Sequence, residues 1–349
     1  MEEKVLFVVV LANVVASIFA QILPEYDHGL ALNTTQPLIV AHRGASGVYP
    51  EHTLPACQLA VDQGSDMIEC DLCVTRDLQL VCLHESWMSG ISNVADVYDE
   101  SRMNTYFVFD QGRNITDYFT VDFTLAELKS VSLRQRYSYR DQSFDDMFPI
   151  VAFEELIDIV QSADTGKTVG LTPEIKDPQW VNSLDFMQEA GVTFESLLVD
   201  VLERRGYSQP TDPCVIFCFI ESTLVTLSAL TDLPLLMLRG SGVFVSDADL
   251  ERYSTFAWGL GPNKNIIVRV GIDNKINDVT DLAARAHAYG LRVLPYTARN
   301  EYNHLAFDYE QDPLLEYQTL LEAGCDGVIT DFPATYKRYL DGYYCQLEN

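Results

Sequence analysis

Glu69 and Asp71 stand two residues apart in an otherwise apolar run that includes Met67, Ile68, Leu72 and Val74. In an extended strand that spacing points both carboxylates to one face. Two carboxylates side by side in apolar surroundings repel each other. A bound cation, a shared proton or a strand end open to water would relieve them. A turn centred on Asp77 and Leu78 would fold residues 80–84 back along this strand, setting Thr75 against Leu80, Cys73 against Cys82 and Asp71 against His84. Opposed side chains lie roughly 5 Å apart, so this register stands a histidine beside the acidic pair. A slip of one residue would turn it to the other face. Cys73 and Cys82 would then be disulfide-bonded or packed as two small apolar residues, and packing is the preferred reading.

A third carboxylate, Glu174, follows Pro173 near the end of another apolar run and shares a face with Lys176. His42 and Arg43 close the first such run, residues 38–41. Each has an ordinary explanation alone, because single histidines are mostly satisfied core or surface groups. Together, three carboxylates, two histidines, an arginine and a lysine at strand ends suit a hard divalent ion and an anionic substrate. The imidazoles can take and give protons near neutrality.

The elements that must position these residues follow from periodicity. Short apolar runs at 38–41, 66–75, 80–84, 168–176, 215–220, 234–238, 256–260, 292–297 and 327–331 read as strands. Helical patterns fall between them, most clearly at 53–64, 152–161, 194–205, 222–230, 279–289 and 313–323. Repeated strand–helix alternation predicts a parallel sheet, and seven or eight repeats favour closure into a TIM (β/α)8 barrel, in which strand C-termini converge on one rim. No phosphate-cradling glycine motif follows the first strand, which disfavours a dinucleotide fold. Residues 87–149 break the rhythm and read as an insertion, with one short helix opened by the capping box Thr124 to Glu127.

The 349 residues carry 51 acidic and 23 basic side chains, a formal charge of −28. That charge repels phosphate backbones and disfavours nucleic acid and anionic membranes as partners. Residues 1–20 read as a signal peptide: Lys4, then an apolar stretch from Val5 broken by Asn13 and Ser17, and a small residue, Ala20, at its end. An uncleaved anchor is the competing reading. No later segment predicts a membrane span. Sequons at Asn33 and Asn114, with eight cysteines, accord with a secreted chain.

Several motifs together carry a family likeness. His42-Arg43-Gly44-Ala45-Ser46-Gly47, residues 50–56 (PEHTLPA), Glu69-Cys70-Asp71-Leu72, Leu83-His84, Pro173-Glu174-Ile175-Lys176 and residues 326–333 (DGVITDFP) resemble the glycerophosphodiester phosphodiesterases, most closely the exported bacterial type. The likeness spans residues 38–340. It implies a TIM barrel with an insertion after the second catalytic histidine, and hydrolysis of small-molecule glycerophosphodiesters such as glycerophosphocholine to sn-glycerol 3-phosphate and an alcohol. It also implies a divalent cation, Ca2+ or Mg2+, on Glu69, Asp71 and Glu174. His42 and His84 would then act as general base and acid, with Arg43 and, less directly, Lys176 on the phosphate. The implied nucleophile is the glycerol hydroxyl next to the phosphate, through a cyclic phosphate. Where many members follow the second histidine with Asp, this chain has Glu85. Tyr106, Phe107, Tyr118, Trp180 and Tyr296 are candidates for the alcohol pocket, although ordinary packing is the preferred reading of each. A phospholipase D-like enzyme acting on lysophospholipids would use the same residues but want an exposed apolar rim. A non-catalytic cell-surface barrel would be expected to have lost one of them.

Overall fold

The computed structural model describes residues 28–347 apart from Asn33. The leader expected at residues 1–20 and the sequon at Asn33 lie outside the described residues. In chain order the strands are β1 (Leu38–Ala41), β2 (Met67–Val74), β3 (Leu80–Cys82), β4 (Asn104–Val108), β5 (Arg113–Asp117), β6 (Val151–Ala152), β7 (Gly170–Ile175), β8 (Ile216–Cys218), β9 (Leu235–Arg239), β10 (Gly259–Pro262), β11 (Val268–Val270), β12 (Ile276–Val279), β13 (Arg292–Val293) and β14 (Gly327–Thr330).

Parallel pairing runs in the order β13, β10, β9, β8, β7, β2, β1, β14, each strand with the next. Between β13 and β14 the ring is closed by Ile329 N–H donating to Pro295 O (2.9 Å) and Ala298 N–H donating to Ile329 O (3.0 Å). This is the expected TIM barrel. The residues of β1, β2 and β7 are buried without alternation, as parallel strands covered on both faces require. The helix Phe153–Gln161 shows how the outer layer docks: Phe153, Leu156, Ile157 and Val160 are buried at helical spacing, and Glu154 and Glu155 sit in its first turn.

Parallel register brings the acids together. Asp71 of β2 pairs with Glu174 of β7, and Glu69 with Thr172. His42, Lys176 and Asp331 each directly follow the last residue of a barrel strand, β1, β7 and β14. The turn after β1 puts Arg43 at φ 60° and Gly44 at φ 77°. A Cβ on Gly44 would lie 2.6 Å from the Ala56 carbonyl carbon, so only glycine closes this turn.

The β2–β3 hairpin differs from the expected register by one residue. Val74 pairs with Leu80, Cys73 with Val81 and Leu72 with Cys82. The connection is five residues, 75–79, with Leu78 in the left-handed region at φ 60°, one residue longer than the connection 76–79 that pairing Thr75 with Leu80 would leave. His84 therefore lies past the strand end, not opposite Asp71. Cys73 is a free, buried core thiol, and Cys82 is bonded to Cys70. Cross-linking across 12 residues of sequence removes loop entropy from the unfolded chain and contributes on the order of 3 kcal/mol. Cys82→Ala is expected to lower the melting temperature by several degrees in a calorimetric scan; an unchanged transition would show that the cross-link adds nothing.

Residues 87–149 form a lobe after β3. The lobe contains the β4–β5 hairpin, and its Met88, Ile91, Val94, Tyr118, Phe123, Leu128, Val131 and Leu133 cluster with Cys73, Val81 and Leu83 in a small second core. The capping box forms: Thr124 Oγ1 accepts from Glu127 N–H and Glu127 Oε2 accepts from Thr124 N–H.

Candidate active site

A cavity of 370 Å3 opens on the C-terminal rim and is lined by His42, Arg43, Glu69, His84, Glu174 and Lys176, among others. Asp71 stands behind them. Ligating oxygens of Glu69, Asp71 and Glu174 all lie within 4.8 Å of one another, and the three residues are buried. All seven residues singled out in the sequence thus meet at one place.

The three carboxylates differ in their surroundings. Glu69 Oε2 accepts from the Arg43 backbone N–H (2.6 Å), while buried Oε1 has no donor. Asp71 Oδ2 lies 2.9 Å from His52 Nε2 and 2.9 Å from Arg43 Nε, and its Oδ1 2.9 Å from Lys176 Nζ. The Lys176 contact is an ion pair without hydrogen-bond alignment, so buried Oδ1 also lacks a donor. Glu174 accepts from Lys176. Burial and the neighbouring Asp71 push the Glu69 carboxyl well above its ordinary value. Burial likewise lifts Glu174, to about 7, against the pull of Lys176. Asp71 is held well below the carboxylate range: burial opposes this, but Lys176 and Arg43 outweigh it. A cluster of oxygen donors in which buried Glu69 Oε1 has no partner fits a hard divalent cation, and it offers no soft ligand.

Each histidine is held by a carboxylate. His42 Nδ1 lies 2.6 Å from Asp331 Oδ1 and His84 Nδ1 2.7 Å from Glu85 Oε1. With Nδ1 carrying the proton, each Nε2 keeps its lone pair. Burial is the main cause that lowers both imidazoles to about 4, helped by Arg43 at each and by Lys176 at His84. In the cation-free protein both are neutral at pH 7. Histidine 15N shifts followed from pH 7 to 4 should show both titrating well below an ordinary imidazole near 6.5; midpoints at 6 or above would contradict the burial described.

Arg43 bridges the two halves of the site, with Nη1 donating to Glu51 Oε2 (2.8 Å). Glu85 reaches His84 despite its extra methylene. Sequence reasoning missed roles for Glu51, His52 and Asp331, although all three lie inside the quoted motifs. It missed Arg136 and Arg140 entirely, because they sit in the irregular segment with no local signal. Of the aromatic candidates only Tyr296 lines the cavity, joined by Tyr137 and Phe219. Tyr106 and Trp180 pack on each other (5.4 Å between centroids), Tyr118 is in the second core, and Phe107 lies against Phe109 at the surface.

An eight-stranded parallel barrel with acids, imidazoles and cations on its C-terminal rim defines a TIM-barrel enzyme. The chain belongs to the glycerophosphoryl diester phosphodiesterase family, whose model matches residues 42–335, and it is a phosphoric diester hydrolase of that activity. It is 38% identical over 329 residues to a glycerophosphodiester phosphodiesterase of Arabidopsis thaliana, covering 88% of this chain and 87% of that one. A glycerophosphodiester phosphodiesterase of Haemophilus influenzae is 30% identical, covering 87% and 90%. The likeness is thus shown at the level of the family, across plant and bacterial members. Among solved structures, a putative glycerophosphoryl diester phosphodiesterase of Silicibacter pomeroyi superposes with TM-score 0.63 at 21% identity, covering 88% and 94%. A phosphodiesterase of Oleispira antarctica, solved with the product sn-glycerol-3-phosphate, gives 0.59 at 21% identity, covering 88% and 97%. These two share the fold.

Proposed function

We propose that this chain hydrolyses glycerophosphodiesters such as glycerophosphocholine, with a Ca2+ or Mg2+ ion held by Glu69, Asp71 and Glu174, releasing sn-glycerol 3-phosphate and an alcohol. The observation that carries this reading is the convergence of the three buried carboxylates, one of them with an oxygen left without a partner, beside two carboxylate-held imidazoles. When bound, the cation offsets phosphoryl charge and lowers the pKa of a nearby hydroxyl. His42 Nε2, facing the cavity, takes the proton of the attacking hydroxyl. The imidazolium that forms shares its Nδ1 proton with Asp331. His84 gives a proton to the leaving alkoxide from Nε2; where the attacking hydroxyl is the glycerol's own, water then opens the cyclic phosphate, with His84 taking the water's proton and His42 returning one to the glycerol oxygen, to give sn-glycerol 3-phosphate. The anionic phosphodiester arriving beside His84 opposes Arg43 and Lys176, the two cations that keep its pKa low, and so favours its protonated form. Arg43 and Lys176 line the same wall and hold the phosphate.

The first test is release of sn-glycerol 3-phosphate from glycerophosphocholine, with Ca2+, with Mg2+ and with chelator. Release should require a cation and be lost reversibly on chelation; no release with any cation would overturn the reading. Because burial lifts Glu174 to about 7 and raises Glu69 as well, a cation binding below that pH must displace a proton from Glu174. Its affinity should therefore rise with pH through about 7, by up to about tenfold per unit for one proton released. Titration calorimetry at pH 6 and pH 8 checks this, and equal affinities would contradict it.

A second reading, hydrolysis of lysophospholipids, has one specific observation behind it. A groove of 570 Å3 shares Asn265 with the catalytic cavity and carries Phe244, 70% exposed. Turnover of lysophosphatidylcholine in the same assay would establish it. The disulfide Cys70–Cys82 and the exposed Asn114 of β5 support a secreted, glycosylated chain. A mass shift on glycosidase treatment of protein from a secretory host tests that. Among the described residues no helix is long and apolar enough to cross a membrane.

A further inference from the structure

We propose that one short stretch of the segment following His84, residues 135–140, is a two-arginine brace that orients both catalytic imidazoles, Arg136 through Glu85 to His84 and Arg140 through Asp331 to His42. The proposal rests on the roles given to His42 and His84 above.

The two histidines leave different strands, β1 and β3, so nothing in local structure couples their orientations. Arg136 and Arg140 supply the coupling from a single piece of chain. Arg136 donates from Nη1 to Glu85 Oε1 (2.8 Å) and from Nη2 to Glu85 Oε2 (2.6 Å), a fork on both oxygens of the carboxylate that holds His84. Its Nε and Nη2 also donate to Glu51, at 3.0 and 2.7 Å to Oε1. Arg140 donates from Nη2 to Asp331 Oδ2 (2.6 Å), from Nε to Glu301 Oε1 (2.6 Å) and from Nη1 to Ser46 O (3.1 Å). Its guanidinium lies 4.7 Å from the Tyr137 ring centre. Gln135 Nε2 donates to Ser46 O and Tyr49 O, anchoring the stretch to the loop that carries His42.

These donors are committed, which separates the two arginines from a phosphate-binding role. Arg136 borders the cavity, but its fork is spent on two carboxylates. Arg140 is buried and does not line the cavity. A glutamate at position 85 has one more rotatable bond than an aspartate, and the bidentate grip removes that freedom. Both carboxylates stay ionised under this arrangement, Glu85 being drawn down to about 2 against burial by His84 and Arg136. An ionised, fixed acceptor keeps Nδ1–H in place and aims Nε2 at the substrate.

The test uses the full chain, glycerophosphocholine and a saturating divalent cation, with Arg136→Gln and Arg140→Gln. Small losses of alignment at a reacting atom cost up to about 100-fold, so kcat should fall by about 10- to 100-fold with KM nearly constant. In 15N-histidine-labelled protein, Arg136→Gln should broaden or shift the hydrogen-bonded Nδ1–H signal of His84 alone, and Arg140→Gln that of His42 alone. This selectivity is not expected of a merely structural role. Arg136→Lys and Arg140→Lys keep the charge but lose the planar fork, and they decide the matter by the same two readouts where a glutamine variant does not fold. A raised KM with unchanged kcat would make the arginines substrate ligands and overturn the proposal, as would unchanged kcat with unchanged signals. His42→Ala separates the two levels. An inactive His42→Ala beside a fully active Arg140→Gln sinks the brace alone, whereas an active His42→Ala sinks the reading on which it rests.

Discussion

His42→Ala is expected to lower kcat by about 10²- to 10⁴-fold, the range set by loss of a positioned general base, while the melting temperature stays within a degree or two. The activity loss follows from position. His42 ends β1 at the barrel rim, lines the cavity and presents Nε2 to it while Asp331 holds Nδ1. The preserved stability follows from the partners left behind. In the variant, Asp331 still accepts from Arg140 Nη2 and Arg299 Nε, at 2.6 and 2.7 Å, so no buried charge is stranded. The imidazole borders a cavity, so its removal leaves space open to water. Steady-state kinetics with a parallel thermal scan measures both halves, and turnover within a few-fold of wild type would end the assignment of His42 as base.

Glu69→Gln separates function from stability in the opposite sense. Glu69 lies beside Asp71 and Glu174, and burial with their charge drives its carboxyl toward the neutral form. Glutamine is the neutral shape-mimic, and its carbonyl oxygen can still accept from the Arg43 N–H that Oε2 now takes. The variant should therefore melt at or above the wild-type temperature. It should also lose a full ligand charge from the cation site and, with it, cation affinity and turnover by about 10²-fold or more. Asp71→Asn would be a poorer choice, because Asp71 is paired with Lys176, Arg43 and His52 and its loss leaves those groups short of a partner. Calorimetric cation titration of Glu69→Gln gives a readout independent of activity. Wild-type turnover by the metal-stripped variant would remove the cation from the mechanism.

Much of this molecule is legible in one dimension, and the misses have physical causes. β10 was expected at 256–260 and runs Gly259–Pro262. Its glycines carry no strand signal, yet Cβ atoms there would lie 2.9 Å from Arg292 O and 2.5 Å from Leu236 Cδ2, so close strand approach selects them. The helix expected at 279–289 begins at Leu282, because Val279 closes the β11–β12 hairpin, a ribbon too short for its few packed residues, Val268, Val270 and Ile276, to show a strand period. The hairpin slip that moved Cys82 from Cys73 to Cys70 came from turn length, which strand periodicity does not encode.

The sequence by itself determined the barrel, the three carboxylates, the two histidines and Arg43 with Lys176. Burial on both faces writes parallel strands as apolar runs, and a barrel collects whatever polar residues end those runs on one rim. Only the tertiary structure decided what holds the imidazoles. Asp331 lies 289 residues from His42, and Arg136 and Arg140 reach the site from a lobe whose order comes from its own small core. Contacts between chemically ordinary residues so far apart leave no periodic trace, because their meeting depends on closure of the ring and on where the lobe packs.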